Sequence, residues 1–280
     1  DSVVAVDNSI AASETVFLAN WGTWGWGDAT GAVDLEPIGR SDGTNYDADG
    51  PVTNTGSQKY SVPSVLYDKT DFEFIQVFNN NYDLMVWPVD ADEAFTIEGW
   101  IQWSGTAEVQ DGVDPLVLVF RQSTMNGTTM CAIYADVSNS GYLTFYAGTG
   151  ITGSSAITMV GPSVNVLDGN WHHFAICRSG SGGTRLYVDG ILEATGNSGR
   201  NFDNNNTVYI GQRSDGTGSD FNGYLQDIRV YKGVAKYTSN FTPVGTFTRN
   251  QFAVSPGAID ANGDAAATNF NPFNTDINTV

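Results

Sequence analysis

From about residue 61 to residue 245 no apolar segment repeats with a helical period. Apolar residues come instead in short β-branched and aromatic runs, broken every ten or so residues by Gly, Asn, Asp or Pro. That spacing predicts an all-β sandwich or barrel. The clearest run is residues 94–103. There Phe95, Ile97, Ile101 and Trp103 point one way, and Thr96, Glu98, Trp100 and Gln102 the other, because successive strand residues face opposite sides. Further strands are expected at 115–121, 128–134, 142–146, 171–178, 185–188, 208–210 and 224–231. Between two of them Asp189-Gly190 supplies the positive-φ pair of a type I′ hairpin turn.

The two ends differ in texture. Residues 1–60 read as an irregular arm with a Trp and Gly cluster, Asn20-Trp-Gly-Thr-Trp-Gly-Trp-Gly27. Residues 246–280 read as a small, polar tail or linker. The opening Asp1-Ser-Val-Val-Ala-Val has neither a basic leader nor a Met and suggests a cleaved or excised product. Lys plus Arg total 12 against 31 Asp plus Glu, a net charge of −19. Phosphate backbones and anionic membranes are repelled by such a surface, so no nucleic acid or membrane partner is expected. Charged residues make up only 15% of the chain, so Asn, Thr, Ser and Gly carry its solubility. Cys131 and Cys177 each sit in an apolar run and read as buried free thiols, not as a disulfide framework.

The stretch Asp168-Gly-Asn-Trp-His-His-Phe-Ala-Ile-Cys-Arg178 resembles the Gly-x-Trp-His-His-x-Ala motif of laminin-G-like, concanavalin A-like jelly rolls. Arg185-Leu-Tyr-Val-Asp-Gly190 resembles that family's hairpin, Ile210-Gly211 its next strand region, and residues 221–231 its closing strand. Upstream, Ser64-Val-Leu-Tyr-Asp-Lys-Thr-Asp-Phe-Glu-Phe resembles the first strand. The resemblance implies a two-sheet antiparallel jelly-roll sandwich over residues 61–245, flanked by irregular N- and C-terminal arms. A narrower likeness lies in Tyr231-Lys-Gly-Val-Ala-Lys-Tyr-Thr-Ser-Asn-Phe-Thr-Pro243, which resembles the ending of jelly-roll domains in tailed-phage virion proteins, above all those of marine and cyanobacterial phages.

Catalysis by a laminarinase-type carboxylate pair needs Glu-x-Asp-x-x-Glu on one strand face, and no Glu here has Asp two positions later. Asp71 and Glu73 share a strand face, as acidic pairs in an acidic chain often do. His172 and His173 are the only histidines, and as strand neighbours they point to opposite faces. They cannot easily join one relay or hold one ion, and in the motif they resemble they are architectural.

The resemblance also implies a calcium cofactor, for which Asp68, Asp71, Asp215, Asp220 and Asp227 are the candidates, since hard cations collect loop carboxylates and carbonyls. The alternative is that these are solvated turn residues. Glycan contact would fall to the rim, at Asn201, Asp203 and Asn205. It would also fall to Trp21, Trp24 and Trp26, which could equally plug the sandwich edge or dock on a neighbouring subunit. Trp103 and Trp171 read as core.

These features together point to a non-enzymatic virion surface protein of a tailed phage: a capsid decoration, fibre or tail-fibre module. It would be homo-oligomeric, in contact with other virion subunits, and able to bind host-surface polysaccharide. The alternatives are a carbohydrate-binding module or adhesin of a bacterial cell surface, and a glycanase using Glu98.

Overall fold

A computed structural model of the chain describes residues 15–19, 34–38, 51–54, 56–59, 64–67, 73–78, 93–104, 116–121, 129–136, 139–149, 157–180, 183–196, 208–211 and 221–243. Among these residues there are fifteen strands and no α-helix. In chain order they are β1 (Thr15–Ala19), β2 (Asp34–Ile38), β3 (Val52–Asn54), β4 (Ser64–Tyr67), β5 (Phe74–Phe78), β6 (Phe95–Trp103), β7 (Leu116–Arg121) and β8 (Thr129–Asp136). They continue with β9 (Tyr142–Thr149), β10 (Ile157–Asn165), β11 (Trp171–Arg178), β12 (Thr184–Val188), β13 (Ile191–Gly196), β14 (Val208–Ile210) and β15 (Gly223–Lys232).

Two antiparallel sheets result. One runs β13-β12-β11-β6-β15-β4-β3, with β1 also pairing with β15; the other runs β10-β9-β8-β7-β14-β5-β2. This is the expected jelly-roll sandwich. Alternation along β6 is as read from the sequence: Phe95, Ile97, Ile101 and Trp103 enter the inter-sheet core beside Phe174, Ile176, Leu186, Val188, Leu225, Ile228 and Val230. From the other sheet Ile75, Val117, Ile133, Leu143, Phe145, Met159 and Ile210 meet them. At Gly99 any Cβ would lie 2.4 Å from the Ile228 side chain, so the missing side chain is what lets Ile228 pack there. The hairpin turn has φ of 50° at Asp189 and 80° at Gly190, as a type I′ turn requires. Cys177 is a buried free thiol, pushed up to about 12 by burial; the side chain of Cys131 lies outside the described residues.

Three expectations need correction. Residues 1–60 are not wholly irregular, since β1, β2 and β3 pair with β15, β5 and β4. The single first strand expected over 64–74 is two strands, β4 in one sheet and β5 in the other. The strand β10 was not foreseen. The strands β2, β3 and β10 are at sheet edges, where Pro and charge are tolerated and alternation is weak. Accordingly β2 carries Asp34, Glu36 and Pro37, and β10 contains Gly161-Pro162.

Candidate functional site

The outward face of the first sheet, away from the inter-sheet core, carries the unusual chemistry. Registers place its residues in cross-strand rows. Trp171 and Tyr224 are both paired with Gln102, and His173 and Gln226 are both paired with Trp100. Ala175 and Arg229 flank Glu98; Cys177 and Tyr231 flank Thr96.

The Glu98 and Thr96 end of this face is sealed. After β15 the chain turns back over the sheet: Thr96 Oγ1 donates to the Val234 carbonyl and accepts from the Lys236 N–H, both at 2.9 Å. Tyr237 and Phe241 stack on each other at 3.5 Å between centroids, over Ala175, Cys177 and Tyr187. The strap is pinned at the hairpin, where the Phe241 N–H donates to the Gly190 carbonyl at 2.9 Å. Beneath it Glu98, 3% exposed, accepts from Lys236 Nζ and from the Tyr237 hydroxyl, each at 2.7 Å. Arg229 lies 3.8 Å from Glu98 and His173 3.7 Å. Burial alone would raise the Glu98 pKa, but the charges of Lys236, Arg229 and His173 outweigh it and hold the carboxyl at about 2. Burial holds His173 at about 4, neutral at pH 7.

Among the described residues no such strap crosses the Gln102 end. Trp171 and Tyr224 are half-buried, with ring centroids 6.4 Å apart. Strands two apart in a sheet are separated by about 9.5 Å, so the rings lean together over Gln102. The Gln102 amide fixes the floor of this platform: Nε2 donates to the Gly169 carbonyl at 2.8 Å, and Oε1 accepts from Ser57 Oγ. Segment 56–59 forms one wall. Its Lys59 N–H donates to Gln226 Oε1 at 2.8 Å, and the Lys59 ammonium sits 4.2 Å from the Trp100 ring centroid. Two polar atoms of this region, Trp171 Nε1 and His173 Nδ1, are buried with no hydrogen-bond partner among the described residues. Beside the platform His172 bridges two carboxylates, Nδ1 to Asp189 at 2.8 Å and Nε2 to Asp168 at 2.9 Å. The two histidines point to opposite faces and do architectural work, as expected.

Of the residues singled out from the sequence, Trp21, Trp24, Trp26, Asn201, Asp203 and Asn205 lie outside the described residues, as do Asp68, Asp71, Asp215 and Asp220. Asp227 is described, at a β-bulge with φ 57°. A short polar side chain tolerates that left-handed conformation. Both its oxygens are held by Arg229, at 2.7 and 2.6 Å, and among the described residues no three His, Cys, Asp or Glu side chains could share a metal ion. In this structure Asp227 serves a guanidinium. Glu98, the glycanase candidate, is sealed under the strap, with both oxygens accepting from Lys236 and Tyr237.

Trp103 is core, as expected, but Trp171 is not: it shares the outward face with His173, Ala175 and Cys177, while Phe174 and Ile176 turn inward. Strict alternation from Phe174 could have placed it. Tyr224, Gln102 and Lys59 were missed because only long-range registers bring them to Trp171.

The chain belongs to the concanavalin A-like lectin/glucanases superfamily, whose laminin-G-type model matches residues 79–236. Among solved structures, similarity extends to domain 4 of AbnA, an extracellular arabinanase of family GH43 from Geobacillus stearothermophilus, solved with arabinotriose. The likeness has a TM-score of 0.57 at 12% identity and covers 80% of this chain and 94% of that one. The binding domain of Paraclostridial Mosquitocidal Protein 1 is similar at TM-score 0.56 and 15% identity, over 81% of this chain and 50% of that one. A structure of botulinum neurotoxin type C, whose cell entry depends on interaction with two ganglioside molecules, follows at 0.50 and 14% identity, over 79% and 48%. The chain thus spans about half the length of the two toxin structures. At these identities the likeness is one of fold. No curated protein sequence matches the chain.

Proposed function

We propose that this protein is a non-catalytic glycan-binding jelly roll displayed on the surface of a tailed-phage virion, in contact with other virion subunits and with host-surface polysaccharide. The observation that carries the binding role is the aromatic platform: two half-buried rings leaning together over an amide held in place by its own hydrogen bonds. Flat aromatic faces take the apolar side of a sugar ring, and neighbouring donors and amides take its hydroxyls. The fold likeness to an arabinanase domain holding arabinotriose and to a ganglioside-dependent toxin supports this reading. The sealed Glu98 supports a binding role over hydrolysis.

The virion placement is supported by the strap sequence, residues 231–243, through its likeness to endings of phage jelly rolls. A second reading, a carbohydrate-binding module or adhesin of a bacterial surface protein, is favoured by the near-complete coverage of the arabinanase domain. Mass spectrometry of purified virions and of host envelope fractions separates the two; the chain found only in envelopes overturns the first. Calcium enters this proposal only through Asp68, Asp71, Asp215 and Asp220.

The test is titration of the protein against a panel of bacterial envelope polysaccharides, in calcium and then in EDTA. Saturable binding that falls about ten-fold or more in Trp171→Ala and in Tyr224→Ala is expected. Absence of binding across the panel, or both variants binding as well as the wild type, sinks the glycan reading. Binding that survives EDTA removes calcium from it.

A further inference from the structure

The cations of the outward face fall into two groups. Arg229 is held by Asp227 and Glu98, Lys236 by Glu98, and Arg185 donates to Ser179 Oγ at 2.9 Å. Lys59 is different: among the described residues it has no carboxylate within ion-pair distance. Its placement is not accidental. The backbone of Lys59 is tied to Gln226, and its ammonium rests on the face of Trp100. A cation on an aromatic face gains electrostatically yet keeps donors free for an anion.

Trp100 precedes Gln102 by two residues on the same strand face, so the Lys59 ammonium stands one row, about 7 Å, from the Trp171–Gln102–Tyr224 row. A sugar stacked on the two rings with its acid-bearing edge towards Trp100 would bring that group to the ammonium. The rest of the chain sharpens the point, because a protein of net charge −19 repels anions at long range. An ammonium that no described carboxylate pairs offsets that repulsion locally, within the ~8 Å over which charges act at physiological salt.

We infer that the platform selects glycans bearing an acidic sugar, with the ring over Trp171 and Tyr224 and the carboxylate paired with Lys59. This rests on the glycan reading above and adds the class of sugar and its specificity-determining residue. The carboxylate gains a charge-assisted hydrogen bond that the neutral sugar cannot make.

The decisive experiment is calorimetric titration with acidic oligosaccharides (oligogalacturonate, oligomannuronate and sialyllactose), each set against its own methyl ester. The ester keeps the ring and removes only the charge. At least one acid is expected to bind about ten-fold tighter than its ester, and Lys59→Met should erase that preference while leaving ester binding in place. Methionine retains the apolar stem over Trp100, so the fold is kept. Trp171→Ala, with Tyr224→Ala as the second variant should the first not fold, should weaken acid and ester alike. Esters or neutral glycans binding as tightly as the acids, or a preference untouched in Lys59→Met, overturns the acidic-sugar inference and leaves the glycan platform standing. Failure of every acid and ester together with every polysaccharide of the panel overturns both.

Discussion

The two ends of one sheet face solve the same problem in opposite ways. Both present polar side chains outward from β6, β11 and β15. At the Glu98 end each charge meets its opposite and a strap shuts the site from water. At the Gln102 end the Gln102 and Gln226 amides are satisfied, while two half-buried rings and, among the described residues, an ammonium with no carboxylate partner remain. Paired and sealed, the first end can stabilise the sandwich but offers a ligand nothing. The second contributes less to stability and holds the recognition chemistry.

The largest break in this contrast is Glu98→Gln. Removing one partner of a buried ion cluster leaves the Lys236 charge uncompensated, which typically costs 3–5 kcal/mol, read as a fall in the urea midpoint. The double variant Glu98→Leu with Lys236→Met should recover most of the loss, since a well-packed apolar pair replaces a buried ion pair at little cost. The acid response of the wild type follows from the same cluster. The Glu98 pKa falls from 4.5 to about 2 on folding, so its contribution is present above about pH 4.5 and is lost as the pH drops towards 2. A loss in Glu98→Gln below about 0.5 kcal/mol would show that the strap, not the charge cluster, holds this end together.

The strap itself is loosened by Gly190→Ala. There a Cβ would lie 2.0 Å from the Phe241 carbonyl oxygen, on a backbone with φ of 80°. Strain at a positive-φ site and displacement of the strap together should cost about 2–3 kcal/mol. Because the clash bears on Phe241 and Pro243 of the strap and on no residue of the Trp171–Gln102–Tyr224 row, glycan affinity per folded molecule should not change. Loss of affinity in folded Gly190→Ala would show that the two ends are coupled.

How much of this was legible in the sequence follows from locality. The strands β6, β11, β12 and β14 were placed to within one residue, because their alternation and the Asp189-Gly190 turn are local signals. The edge strands β2, β3 and β10 were not, because edges tolerate the residues that erase a strand pattern. At the site, Trp171 was visible as a residue and misassigned to the core, although its alternation with Phe174 was available. The partnership of Lys59, Trp100, Gln102, Trp171 and Tyr224 spans more than 150 positions and is made by two registers and the Lys59–Gln226 hydrogen bond, which no local pattern encodes. The bulge at Asp227 is of the same kind: it sets Arg229 opposite Glu98, and one residue less would turn Arg229 into the core.

The smallest effect tests the seam between the two ends, where His172 ties the 168–170 loop that accepts from Gln102 to the hairpin that anchors the strap. Carboxylate oxygens only accept, and a neutral imidazole has a single N–H. With Asp189 at Nδ1 and Asp168 at Nε2, His172 can satisfy both only as the imidazolium. Burial pulls its pKa down, but the hydrogen bonds to Asp189 and Asp168 and their charges prevail, leaving it above its usual 6.5. The stabilisation is therefore complete below about pH 6.5 and is lost as the pH rises through the raised folded-state value. The two carboxylate side chains are 38% and 40% exposed, so solvent screening keeps the effect to about 1 kcal/mol. Urea midpoints should decline between pH 6 and 8.5 in the wild type and stay level in His172→Gln. A wild-type midpoint that holds or climbs over that range would mean that His172 is neutral, with one of its two carboxylates turned away to water.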